Sequence, residues 1–140
     1  MKHLKLFENF SLEDLEQQYQ ATKALYELGL IDRTELRYVE DQLKLERYIA
    51  NGCKGDLALS GTGIKSLGGL TEVAGNLDLR YSSIQDLGEL RKVGGYLSLE
   101  GTGIQSLGEL MEVVGYLDLQ GTGIQSLGEL RKVDLSLIHI

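Results

Sequence analysis

The sequence predicts an α/β solenoid in which short parallel strands stack behind an N-terminal helical hairpin. Three observations carry this expectation. Residues 52–134 repeat with a period of 20. Each repeat carries Leu-x-Leu, the period-2 pattern of a short strand with one buried face. Residues 11–51 instead space their apolar side chains by three and four, as a helix does.

The repeat constrains everything else, so it is read first. Leu57/Leu59, Leu77/Leu79, Leu97/Leu99 and Leu117/Leu119 mark the strands. Ile64, Ile84, Ile104 and Ile124 follow, then Leu67, Leu87, Leu107 and Leu127, then Leu70, Leu90, Leu110 and Leu130. Val73, Val93, Val113 and Val133 close the units, and residues 101–110 recur identically at 121–130. Four repeats are expected across 52–134. Leu87, Leu90 and Val93 step by three, which predicts a tight 3₁₀-like turn. One unit cannot bury its own apolar edge, whereas stacked units share a continuous core with strands roughly 4.8 Å apart.

The remaining columns are structural as well. Gly68, Gly88, Gly108 and Gly128 share one phase, and Gly75, Gly95 and Gly115 another. A glycine at every rung implies a positive φ or a backbone packed too closely for a Cβ. Thr62, Ser82, Thr102 and Thr122 form a hydroxyl column, expected to satisfy backbone groups in the turn after the strand.

This pattern resembles the short bacterial class of leucine-rich repeats. The rhythm Val93-Gly94-Gly95-Tyr96-Leu97-Ser98-Leu99 is also similar to the L domains of cell-surface receptors. The resemblance covers residues 52–134. It implies a right-handed solenoid that binds other macromolecules and rarely catalyses. In leucine-rich repeats an Asn ladder usually fills the Thr/Ser phase, and a Pro often follows the Leu where Gly68, Gly88, Gly108 and Gly128 stand. This chain departs from the family at both places.

The hairpin follows from capping chemistry. Ser11 with Asp14 reads as a capping box, and Leu12, Leu15, Tyr19, Thr22 and Leu25/Tyr26 mark one face until Gly29. Asp32 with Glu35 starts a second helix, whose face holds Leu36, Val39, Leu43 and Ala50, broadened by Leu45 and Ile49, until Gly52. Residues 11–51 are expected to cover the first rung as a cap. Cys53 falls in the Val phase and is expected to be a small buried apolar residue.

Both termini break the pattern. Residues 1–10 read as a mobile leader, and Lys5, Leu6, Phe7, Glu8, Asn9 and Phe10 look like N-terminal leaders of large tailed phages. In residues 135–140 only Leu137 keeps the repeat phase. The codons ctg tct ctt ata cac atc encode this hexapeptide and look like the end of a transposon adapter. A non-native tail on a truncated metagenomic frame of bacterial or phage origin is therefore expected, the alternative being a real but degenerate last strand. On the first reading the last rung is uncapped, and its open edge invites self-association.

Charge and composition narrow the function. Seven Lys/Arg against ten Asp/Glu in residues 1–50, and seven against eleven in the rest, make up the net charge of −7. That balance disfavours nucleic acid and anionic membranes as partners. No stretch is apolar enough for a secretory signal or a membrane span, and the single Cys53 precludes an internal disulfide, so a cytoplasmic location is expected. His3 and His139 have no partner identifiable from sequence, so no catalytic residue, cofactor or metal site is expected. Gly61-Thr62-Gly63-Ile64-Lys65-Ser66 lacks the glycine that a phosphate loop places before its lysine. Asp78 and Asp118 lie two rungs apart, about 10 Å, too wide for a glycosidase pair, and read as part of a solvated acidic face.

The informative surface is the outward side of the strands. Asp78, Arg80, Tyr81, Tyr96, Glu100, Tyr116 and Asp118 form a mixed aromatic and polar strip there, with Tyr81 breaking the column of Gly61, Gly101 and Gly121. Tyr and Arg are enriched at binding hot spots. The expectation is a non-catalytic module that binds an unidentified protein through this strip. The alternatives are the recognition arm of a larger enzyme, such as a bacterial effector, or a structural part of a virion.

Overall fold

A computed structural model describes residues 11–132 and 138–139. The leader, Val133, Leu135 and Leu137 lie outside the described residues. The chain divides into two compact units after Ala50.

In the first unit, α1 (Leu12–Glu27) starts at a reciprocal capping box. Ser11 Oγ accepts from the Asp14 amide at 3.2 Å, and the Asp14 carboxylate accepts from the Ser11 amide at 3.3 Å. The helix stops because Gly29 takes a left-handed φ of 74° just beyond it. In α2 (Arg33–Ala50) the Asp32 side chain caps the start by accepting from the amides of Thr34 and Glu35. Leu15, Val39 and Leu43 form a small core, with Leu12 and Tyr19 packed against it. Leu25 and Ala50, assigned to buried faces by spacing, are exposed; Leu45, also assigned there, is buried, and so is Tyr48, which was not assigned.

The second unit is a β-solenoid of about four turns. Its strands are β1 (Leu57–Ala58), β2 (Glu72–Val73), β3 (Leu77–Asp78), β4 (Lys92–Val93), β5 (Leu97–Ser98), β6 (Glu112–Val113), β7 (Leu117–Asp118) and β8 (Ile138–His139). They make two parallel sheets, one ordered β1-β3-β5-β7-β8 and the other β2-β4-β6. Leu57, Leu77, Leu97 and Leu117 lie side by side in one register, which is the 20-residue period expressed in space. The amides of Leu57, Leu59 and Gly61 donate to the carbonyls of Asn76, Asp78 and Arg80, and the same three bonds recur between the next rungs. Each two-residue strand therefore sits in a longer extended ladder. The Leu, Ile and Val columns are almost wholly buried from Leu57 to Leu119, each side chain stabilising the stack by about 1.5–3 kcal/mol relative to exposure.

The second sheet corrects the expectation of a 3₁₀-like segment. The step from Leu87 to Leu90 is a single tight turn, closed by a bond from the Leu90 amide to the Leu87 carbonyl at 3.2 Å. Val93 then belongs to a strand, where Lys92 pairs with Glu112 and Val93 with Val113. Spacing by three suits a β-turn leading into a strand as well as it suits a 3₁₀ turn. Two sheets make this a β-solenoid, with helices confined among the described residues to the first unit.

The hydroxyl column does what its position implies. Thr62, Thr102 and Thr122 each donate from Oγ1 to the carbonyl three residues earlier at 2.7 Å. Cys53 keeps the expected phase, since its carbonyl accepts from Ala74 as that of Val73 does from Gly94. It is half-buried, however, with a left-handed φ of 59°. What burial it has, together with the Glu72 charge, pushes its thiol pKa up and away from reactivity.

The end of the solenoid also differs from expectation. Ile138, rather than Leu137, sits in register with Leu117, and the Leu119 amide donates to the His139 carbonyl at 2.6 Å. The edge of β7 is therefore paired. The return from Leu117 to Ile138 takes 21 residues, one more than the period of the other rungs.

Candidate functional site

The outward face of the five-stranded sheet carries three columns. Asp56, Asn76, Tyr96 and Tyr116 precede the first core leucine of each strand. Ala58, Asp78, Ser98, Asp118 and His139 occupy the middle positions. Ser60, Arg80, Glu100 and Gln120 follow the second leucine, where the sheet turns.

In the first column the earliest rungs are polar. Asp56 Oδ1 accepts from the Asn76 amide at 2.7 Å, and Asn76 Oδ1 accepts from the Tyr96 amide at 2.9 Å. These side chains satisfy amides that the ladder leaves over. The next two rungs are aromatic. The Tyr96 and Tyr116 rings lie 4.8 Å apart at 44°, and His139 meets Tyr116 edge-on at 6.1 Å. Burial and the neighbouring Tyr96 push the Tyr116 phenol above its ordinary value, so the Tyr116 ring acts as neutral aromatic surface at pH 7.

The middle column contradicts the picture of a solvated acidic face. Asp78 is 8% exposed, and Ser98 only 1%. Arg80 answers the burial of Asp78: its Nε reaches Oδ1 at 2.9 Å and its Nη2 reaches Oδ2 at 2.8 Å. The Arg80 amide adds a third bond to Oδ1 at 3.1 Å. Burial raises the Asp78 pKa, but the side-chain and backbone bonds from Arg80 and its charge together outweigh that and hold it below the usual carboxylate range. Arg80 is held more firmly protonated in turn. Asp118 repeats the backbone bond, accepting from the Gln120 amide at 3.1 Å, and has no arginine.

Tyr81 and Glu100 form the third feature. Tyr81 takes a left-handed φ of 58° where Gly61, Gly101 and Gly121 take about 70°. A left-handed backbone costs a residue with a Cβ roughly 1–2 kcal/mol. The Tyr81 hydroxyl donates to Glu100 Oε1 at 2.9 Å. Its ring covers Gly101, where a Cβ would collide with it. The glycine at 101 thus makes room for the tyrosine one rung earlier. The bond to Glu100, the Glu100 charge and some burial raise the Tyr81 pKa.

The structure therefore brings six of the seven sequence-predicted residues together in pairs: Asp78 with Arg80, Tyr81 with Glu100, and Tyr96 with Tyr116. Asp118, the seventh, is half-buried in the middle column beside His139. Sequence reasoning missed Ser98, whose buried Oγ has no hydrogen-bond partner. The signal was the break in an Asp–Ser–Asp column; that Ser98 is almost wholly buried there is not shown by spacing alone. Two shallow clefts of about 370 and 550 Å³ lie away from this face. Among the described residues no helix is long and apolar enough to cross a membrane.

Comparison of the chain with protein-family models, with curated proteins and with solved structures finds no match.

Proposed function

We propose that this chain is a non-catalytic module, similar to leucine-rich repeats, that binds a protein partner through the outward face of its five-stranded sheet. The observation that carries the reading is the Tyr96–Tyr116 ring pair, held next to the Asp78–Arg80 ion pair on a hydrogen-bonded ladder. Large amphipathic rings on a rigid support lose little conformational entropy when a partner covers them. The likeness to leucine-rich repeats rests on the Leu-x-Leu, Ile and Val columns and on the ladder of equivalent rungs. Neither of the two clefts is lined by residues of this face, and a broad sheet face suits a macromolecular surface better than a small molecule.

The test is affinity capture by the full chain, with bound proteins compared among variants. Tyr96→Ala combined with Tyr116→Ala should release a specific partner, while Gln105→Ala combined with Gln125→Ala, on the turn side, should retain it. The reading fails if both double variants retain the same proteins, or if the turn-side pair alone loses them.

A further inference from the structure

Resting on that reading, we propose that the sheet face recognises an extended basic peptide segment, with one cationic side chain on the Tyr96–Tyr116 pair and the alternate ones at Glu100 and Asp118. Four carboxylates, Asp56, Asp78, Glu100 and Asp118, face one guanidinium, Arg80. Arg80 is already engaged with both oxygens of Asp78. Glu100 and Asp118 each use one oxygen in bonds among the described residues, which leaves the other for a ligand. A second copy of this face would meet the same excess of negative charge, and a polyanion would be repelled, so a cationic occupant is the complementary one.

Geometry favours an extended segment. Glu100 lies two residues beyond Ser98, the residue that pairs with Asp118. The two carboxylate positions are therefore separated by about one strand spacing across and two residues along, roughly 8 Å. Side chains at i and i+2 of an extended chain leave one side of it roughly 6.7 Å apart. Alternate Lys or Arg residues match that separation. The ring pair in the next column supplies a quadrupole for a cation and a flat surface for its methylene stem.

Ser98 is the independent sign of a ligand. It is the shorter residue between Asp78 and Asp118, so the column steps down at this rung. Its hydroxyl is buried and unbonded in the free protein, a state that native structures seldom leave uncompensated. An ammonium or peptide N–H seated between Glu100 and Asp118 would give that oxygen a donor once the longer side chains beside it rotate, which surface rotamers do in picoseconds to nanoseconds.

The experiment titrates the full chain with a dye-labelled peptide of alternating Lys and Thr, read by fluorescence anisotropy. A matched Glu/Thr peptide and a neutral cello-oligosaccharide serve as comparison probes. Saturable binding of the lysine peptide alone is expected. Glu100→Gln with Asp118→Asn should weaken it at least tenfold, and Tyr96→Ala with Tyr116→Ala severalfold. Ser98→Ala should weaken binding severalfold without lowering the melting temperature, because the hydroxyl it removes is unpaired in the free protein. Glu89→Gln with Glu109→Gln changes net charge by the same amount off the face and should leave affinity within about twofold. Equal loss in that control pair would mean diffuse attraction by net charge and would overturn the proposal, as would unaffected binding in the Glu100/Asp118 or Ser98 variants. Preference for the oligosaccharide or the acidic peptide would also overturn it. A natural partner lost from the Tyr96/Tyr116 variant, combined with no binding of the lysine peptide, would leave the interaction module standing and refute only the basic chemistry.

Discussion

Replacing Gly115 with Ala tests the stacked-rung architecture where one backbone packs directly on the next. A Cβ there would land 2.8 Å from the Gly95 carbonyl carbon and from the Tyr96 nitrogen, against an ordinary contact of 3.4 Å or more. The two rungs must then part by about 0.6 Å. They are joined at the same point by the bond from the Gly115 amide to the Gly95 carbonyl, 2.9 Å long. Parting by that amount stretches the bond to the limit of hydrogen bonding. Loss of the bond costs about 0.5–1.5 kcal/mol and overpacking about 1–3, so a penalty of about 2–3 kcal/mol is expected. For a cooperative unit of this size that lowers Tm by roughly 10–20 °C. Gly103 provides the contrast, because its Cβ would meet nothing within 4 Å and its φ is not left-handed. Gly103→Ala should raise stability by about 0.4–1 kcal/mol, since it restricts only the unfolded chain. Scanning calorimetry of the full chain measures both. Shifts of the same sign and similar size would refute the claim that close approach fixes the Gly75, Gly95 and Gly115 column.

Other outcomes follow from the same geometry. Leu99 is fully buried, so Leu99→Asp should cost several kcal/mol and abolish cooperative melting of the solenoid; a near-wild-type transition would contradict the stacked core. The carboxyl of Asp78 has a lowered pKa in the folded state, so its contribution is present above the unfolded value of about 3.9 and is lost as pH falls through the folded value. The Tm difference between wild type and Asp78→Asn should therefore shrink in acid, and a difference constant from pH 7 to about pH 2 would refute that assignment. Because β5 is the central strand of its sheet, amide exchange should be slowest at Leu79, Leu97 and Leu99 and faster beyond Gly121. Uniform protection along the stack would count against rung-wise stability.

The fold was legible because a solenoid writes its periodicity directly into the chain. Leu77, Leu97 and Leu117 pair because they are 20 residues apart, and no tertiary information is needed to see it. Helix starts were legible for the same local reason, as Ser11 and Asp14 close their own ring of bonds. The second sheet was not legible, because Lys92-Val93 is too short to show an alternation and its strand character comes only from neighbouring rungs. Nor was the register of the last strand, since Ile138 and Leu137 are both apolar and only pairing with Leu117 distinguishes them. At the candidate site, residue types placed Asp78, Arg80 and the tyrosines on one face. The burial of Asp78 was not legible, because Arg80 two residues on binds both oxygens of its carboxylate and a column-by-column reading treats the two positions as independent, and neither was the burial of Ser98.

The proposal of this face as a binding surface draws on the way its residues depart from the repeat. The core columns and the glycine columns of the turns repeat with little change, because every rung has the same packing and backbone problem to solve. On the outward face of the five-stranded sheet the residues change from rung to rung. The first column passes from carboxylate to amide to two aromatics, the middle column interrupts Asp78 and Asp118 with Ser98, and Tyr81 replaces a glycine at a left-handed position. None of these changes is required by stacking, and two oppose it. A left-handed tyrosine is strained, and an unbonded buried hydroxyl forfeits a hydrogen bond. The Tyr81 ring spans the rung boundary to reach Glu100, and Arg80 covers the carboxylate of its own strand, so the departures are organised into pairs. The strained Tyr81 and the unbonded Ser98 hydroxyl thus lie on the same face as the Tyr96–Tyr116 ring pair, and that coincidence favours this face as the proposed binding surface.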